Sequence, residues 1–325
     1  MAIARRHFLA ATAGAIAGAV VFPSLADDQQ PLIIDTHQHL WDRTKLNLPW
    51  LESAPEILTH SYRPQEYKAA TEGLNVRSVY MEVDVAEEQH DREAEYVVGL
   101  IQGGKEATIG AVIGGRPASA GFSRYIDRHA RSGVIQGVRQ VLHGEGTPKG
   151  YCLKPEFVAG IRALGERRLS FDLCMRPDEL GDGAKLTEQC PDTRFIVDHC
   201  GNADPKVFDP KLATSGQPSH SADGWKRSME LLAKRPNTLC KISGIVARAT
   251  PGWKSDHLAP VVNFCLETFG PDRVVFGSDW PVCLLGAQLK QWVVALREIV
   301  AERSADDQTK LWSANALRSY SLNIA

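Results

Sequence analysis

The chain reads as one (β/α)8 barrel of the TIM type, and three observations carry that reading. Eight short apolar runs recur along the sequence, helical patterns separate them, and 325 residues suit a barrel of this kind. An open doubly wound sheet is the main competitor. It calls for Gly-x-Gly-x-x-Gly after the first strand, where this chain has Asp35-Thr36-His37-Gln38-His39.

The strands come in order. Leu32–Thr36 opens the array: Pro31 bounds it and Ile33-Ile34 is β-branched, which suits a buried strand. Val76–Val83, Thr108–Ile113 and Val134–Leu142 follow, then Ser170–Met175, Phe195–Val197, Thr238–Ser243 and Val274–Gly277. Between them, apolar residues recur at steps of three and four over Pro64–Leu74, Glu88–Gln102, Phe122–Arg131, Pro155–Arg168, Asp178–Glu188, Trp225–Lys234 and Leu258–Phe269. A helix around Ala287–Arg303 follows the eighth strand, and a terminal one covers Asp306–Tyr320. Two connections, Leu40–Tyr62 and Asn202–Gly224, are long enough to be lids or binding loops.

The first residues are a different object. Arg5-Arg6-His7-Phe8-Leu9 precedes an Ala/Gly/Val run from Ala10 to Phe22, and Pro23-Ser24-Leu25-Ala26 ends it. This is the pattern of a cleavable export signal, and the paired arginines make it the twin-arginine type. Residues 1–26 are therefore expected to be the signal and 27–325 the barrel domain, exported to the bacterial periplasm.

Composition narrows the function. Hydrophobic residues make up 43% and charged ones 23%, with a net charge of −2, which gives no reason to expect nucleic acid or an anionic membrane as partner. No apolar run in the body is long enough to span a bilayer. The seven cysteines contain no Cys-x-x-Cys and are odd in number, so they read as core residues, Cys174 and Cys240 most clearly.

Chemistry concentrates where the strands end. In a barrel those C-terminal ends converge on one pocket. His37, His39, Glu82, Asp84, Arg116, Arg139, His143, Arg176, His199 and Asp279 all fall there. Residues two apart on a strand point the same way, so His37 and His39 offer two imidazoles able to chelate a zinc-like cation. Strand 8 closes onto strand 1, which brings Asp279 to a water held near those rings and favours it as general base. His199 shares the rim as ligand or electrophile. Arg139 sits inside an apolar strand and needs an anion or several acceptors, such as a substrate carboxylate or dense hydroxyls. Glu82 completes a metal sphere, orients a histidine or pairs with an arginine; the sequence does not choose. Trp41, Trp50 and Trp280 flank the expected pocket, suited equally to sugar-ring faces and to core packing.

Several segments together resemble the amidohydrolase superfamily. They are Ile34-Asp35-Thr36-His37-Gln38-His39-Leu40-Trp41, Gly137-Val138-Arg139, Val197-Asp198-His199-Cys200-Gly201, Lys241-Ile242-Ser243-Gly244, Arg273-Val274-Val275-Phe276-Gly277-Ser278-Asp279-Trp280-Pro281 and Asn315-Ala316-Leu317-Arg318. The branch is the amidohydrolase-2 type, which includes sugar-acid and pyrone-dicarboxylate lactonases. The resemblance implies a distorted barrel that hydrolyses a small cyclic ester. It implies Asp279 as the water-activating aspartate, with His199 and Arg139 as carbonyl-polarising groups. Arg139, Glu82, His143, Trp41 and Trp280 are then the substrate-binding set. His37, His39, Asp279 and His199 are the metal set, holding zero or one divalent ion. Binuclear members carry a bridging lysine on strand 4, where this chain has Arg139, and the strand-5 histidine of other mononuclear relatives is missing. The alternatives are a decarboxylase or lactone isomerase of the same fold, or an exported sugar-acid binding protein without turnover.

Overall fold

The computed structural model describes residues 30–144, 146–208 and 219–324. The expected export signal lies outside the described residues, as does part of the Asn202–Gly224 connection. The eight strands are β1 (Ile33–Gln38), β2 (Val76–Met81), β3 (Thr108–Gly114), β4 (Ile135–Val141), β5 (Ser170–Cys174), β6 (Arg194–Val197), β7 (Thr238–Ile242) and β8 (Val274–Phe276). They form one sheet in chain order, and neighbouring strands are parallel. Helices on the outside bury the second face, which is why the strands read as nearly continuous apolar runs.

Closure falls between β8 and β1, beyond the end of β8. Asp279 N–H donates to the His37 carbonyl at 3.0 Å and His39 N–H to the Trp280 carbonyl at 2.8 Å. The Thr36 hydroxyl adds a bond to the Phe276 carbonyl at 2.7 Å. These contacts fix the two ends that carry His37, His39 and Asp279.

A bulge in β1 decides which way the histidines face. Asp35 pairs with Ser78 of β2 while Gln38 pairs with Tyr80, so three residues on β1 oppose two on β2. Ile34 belongs to the inner apolar cluster, with Val79, Val112, Ile196, Leu239 and Val275. Asp35 faces outward and accepts from the hydroxyl of Tyr67 (2.7 Å) on the helix Pro64–Ala70. Strict alternation from Ile34 would send His37 and His39 outward as well; the extra residue reverses the parity and turns both inward.

The inner cluster is sealed by Tyr320 and Leu322 from the end of the chain. The terminal helix is interrupted by a π-turn at Lys310–Ala314, and Asn315 then donates to the carbonyls of Pro271 (2.7 Å) and Val274 (2.8 Å), holding the start of β8. The long connection after β1 is ordered. An antiparallel Trp41–Tyr62 bridge pins its ends, and two 3-10 turns, Pro49–Ser53 and Glu56–Leu58, fill it. All seven cysteines are free and buried, as core residues should be. No helix among the described residues is long and apolar enough to cross a membrane.

Candidate active site

Asp279 stands at the centre of three imidazoles. Its Oδ1 lies 3.4 Å from His39 Nε2, 3.7 Å from His37 Nε2 and 4.0 Å from His199 Nε2. Burial alone would raise the Asp279 pKa, but the neighbouring His199 and His39 outweigh it and hold the carboxyl below its ordinary range. Asp279 and His199 both adopt left-handed backbone angles, φ 59° and 55°. Such angles are strained for residues with a Cβ and recur at functional sites. Gly244 (φ 71°) makes room for His199, since a Cβ there would sit 2.3 Å from its Nδ1.

His39 shows what this arrangement asks for. Its Nδ1 lies 3.0 Å from the Met81 carbonyl, which can only accept, so Nδ1 carries the hydrogen. In the neutral ring Nε2 then presents a lone pair to the Asp279 carboxylate. Two acceptors face each other, and a proton or a cation between them resolves the repulsion. Nitrogen and oxygen ligands of tetrahedral zinc, bonded at about 2.0–2.1 Å, lie roughly 3.3 Å apart. The His39–Asp279 spacing matches, and the other two are within several tenths of an ångström. His37, His39 and Asp279 thus fit one divalent ion, with His199 at the margin.

A layer of buried charge backs the histidines. Arg139 on β4 donates from Nε to Glu82 Oε1 (2.6 Å) and from Nη2 to the Glu82 carbonyl (2.9 Å). Its Nη1 lies 3.4 Å from Asp198 and 3.2 Å from His37 Nε2. A protein cation therefore already stands beside His37 on the strand-4 side. On the other side Lys241 Nζ meets Asp172 (2.7 Å), Asp198 (3.0 Å) and His37 Nδ1 (3.2 Å). Burial and the Lys241 ammonium hold the His37 ring well below its usual pKa, hence neutral. Asp198 sits well below the carboxylate range because Lys241 and His37 overcome its burial. Asp172, for which burial wins, is pushed up to about 7.

This layer corrects two expectations. Arg139 has its anions inside the protein, so its charge is spent on Glu82 and Asp198, and only one Nη2 hydrogen remains for a substrate. Of the three roles left open for Glu82, it takes the arginine pair. Its Oε2 accepts from Asp84 N–H at 2.6 Å, so both oxygens are engaged, and Glu82 is not among the groups placed to share a metal. Lys241 and Asp172 were not singled out from the sequence, although a charged side chain inside an apolar strand is itself a signal, because it must be paired.

The site opens into a cavity of about 480 Å³. Its inner end is lined by His39, His199, Asp279 and Arg139, and His143 stands at the mouth, exposed. Trp41 and Trp50 form one wall, their rings edge to face at 5.6 Å, and Trp50 is held by the Val83 carbonyl at 2.8 Å. Trp280, expected beside the pocket, is absent from the lining. Its ring is packed against Tyr62 and Tyr67 instead, because β1–β8 closure turns it into the core. Asn202 and Arg248 join the lining without having been anticipated.

Comparison with known proteins agrees with this geometry. The family model described as "Amidohydrolase" matches residues 34–322. An L-fucono-1,5-lactonase of Burkholderia multivorans (strain ATCC 17616 / 249) is 28% identical over 302 residues, 90% of this chain and 96% of that one. An L-rhamnono-gamma-lactonase of Scheffersomyces stipitis is 24% identical over 230 residues, 63% of this chain and 66% of that one. An amidohydrolase from Burkholderia multivorans, solved with bound zinc, superposes with a TM-score of 0.76 at 24% identity, over 90% of this chain and 100% of that one. With a family match over residues 34–322, from β1 to beyond the last helix, the chain belongs to the amidohydrolase family.

Proposed function

We propose that the protein hydrolyses the lactone of a sugar acid, with Asp279 as the group that activates water. One observation carries the reading: a buried carboxylate, ringed by three imidazole Nε2 atoms, at the inner end of a cavity sized for a small ring. The names of the lactonase relatives support the same substrate class. Asp279 accepts a proton from a water as that water attacks the ester carbonyl. His199 and the remaining Arg139 hydrogen face the carbonyl oxygen as donors. The tetrahedral adduct then breaks its ring C–O bond, and Asp279 returns the proton to the departing alkoxide. A hydroxy acid leaves, and the enzyme regains its starting protonation.

One divalent ion held by His37, His39 and Asp279, with His199 beside them, would polarise the carbonyl and lower the pKa of water. The zinc in the Burkholderia amidohydrolase supports a zinc-like ion here. Export through the twin-arginine route is part of the proposal and rests on Arg5-Arg6 and Ala26; its check is a secreted chain whose mass begins at Asp27.

The test is proton release from fucono- and rhamnonolactone, corrected for spontaneous opening, alongside metal content per chain. Lactone opening above background with zero or one ion is expected. No opening of any sugar lactone would end the reading, and two ions per chain would end the mononuclear part.

A further inference from the structure

Four arginines stand at or near the rim of the barrel, and three of them are matched by carboxylates. Arg116 lies 3.6 Å from Asp84 and 3.8 Å from Glu87. Arg139 is paired with Glu82 and Asp198. Arg176 is 2.9 Å from Glu179 and also donates to the carbonyls of Gly144 and Thr147. Arg248 differs. Among the described residues no carboxylate lies within 4.0 Å of it, and its one side-chain hydrogen bond runs from Nη2 to Asn202 Oδ1 at 3.0 Å.

That neutral partner is built to hold it. Asn202 is buried, 2% exposed, and its own amide N–H donates to the Met175 carbonyl at 2.8 Å. The donor side is thereby fixed, and Oδ1 is left facing the guanidinium. Arg248 ends the 3-10 turn Ile245–Arg248 after β7 and lines the same cavity as Asp279. A guanidinium fork held in place by an amide, lining the cavity and unmatched by any carboxylate among the described residues, is poised for bidentate binding of an anion from outside.

We infer that Arg248 is the specificity-determining residue of the site, and that the preferred lactone carries a second, free carboxylate which the guanidinium binds. The substrate is then the monolactone of a sugar dicarboxylic acid, its ester carbonyl at Asp279 and its carboxylate at Arg248. This rests on the lactonase reading and narrows it.

The test compares glucaro-1,4-lactone, which carries a free carboxylate, with the neutral galactono-1,4-lactone, by proton release from the wild-type protein and from Arg248→Met. The wild type is expected to favour the anionic lactone in kcat/KM. In Arg248→Met the anionic-to-neutral ratio should fall by roughly 10- to 100-fold, the worth of a charge-assisted pair, through KM more than kcat. Arg248→Lys should recover part of it, since charge returns without the fork. Calorimetric binding of the open-chain glucarate gives a readout independent of turnover, and it should weaken in the same order. A wild type that prefers the neutral lactone, or a ratio and glucarate affinity unmoved by Arg248→Met, overturns the inference while leaving the lactonase reading standing. Failure to open either lactone, with fucono- and rhamnonolactone also unopened, overturns both; failure on these two alone overturns only the inference.

Discussion

One part of the barrel interior is filled by Ile34, Val79, Val112, Ile196, Leu239 and Val275 and sealed by Tyr320 and Leu322. The part beneath the cavity holds Glu82, Arg139, Asp172, Asp198 and Lys241, all nearly inaccessible to solvent. The two regions touch where Lys241 Nζ lies 6.0 Å from the Tyr320 ring. In the apolar part each side chain contributes through volume and burial, and a neighbour of similar shape can replace it. In the charged part each group is stable only because its partner is there, since an unpaired buried charge is costly. The same cylinder thus divides between a floor that holds the fold and a layer that aims His37, His39 and Asp279. In barrels of this kind stability and chemistry separate toward opposite ends of the strands.

The largest effect should come from the reacting group itself. Asp279→Asn keeps the shape but loses the proton acceptor, so kcat should fall by about 10²- to 10⁴-fold with KM nearly unchanged. Steady-state kinetics on an opened lactone decide this, and near-normal turnover would remove Asp279 from its role.

Lys241→Met sharpens the contrast between the two regions. It leaves Asp172 and Asp198 facing each other without the ammonium, a change typically costing about 3–5 kcal/mol. Urea unfolding measures it, and adding Asp172→Asn should restore part of the loss. If the single variant unfolds like the wild type, the layer is not held by mutual pairing.

A pH effect comes from Glu93, buried just outside the charged layer. Burial and the nearby Glu82 push its pKa up to about 8 from an ordinary 4.5. A raised carboxyl pKa means the folded chain binds the proton more tightly than the unfolded one. This contribution is therefore full below about pH 4.5 and is lost as pH rises toward 8. Melting temperature followed across that window should decline from this cause, and Glu93→Gln should flatten the decline.

The smallest effect belongs to the floor. Ile196→Val removes one methylene from the apolar cluster and should cost about 0.5–1.5 kcal/mol, with kcat unchanged. A loss of activity larger than the loss of stability would mean the floor and the site are coupled.

Local pattern alone determined the number and order of the strands, because apolar periodicity is a property of neighbours in sequence and each run appears close to its expected bounds. It also brought His37, His39, His199 and Asp279 into one candidate site, since strand ends in a barrel must converge. What tertiary structure decided was pairing. The bulge in β1 set which way the histidines face, a choice made by registry against β2. Arg139 found its anions after β2 and after β6, and Lys241 on β5 and after β6, partners dozens of residues away. Trp280 went to the core and Arg248 to the cavity for the same reason. A sequence records which side chains need a partner, but which partner they meet depends on strands brought together only when the barrel closes.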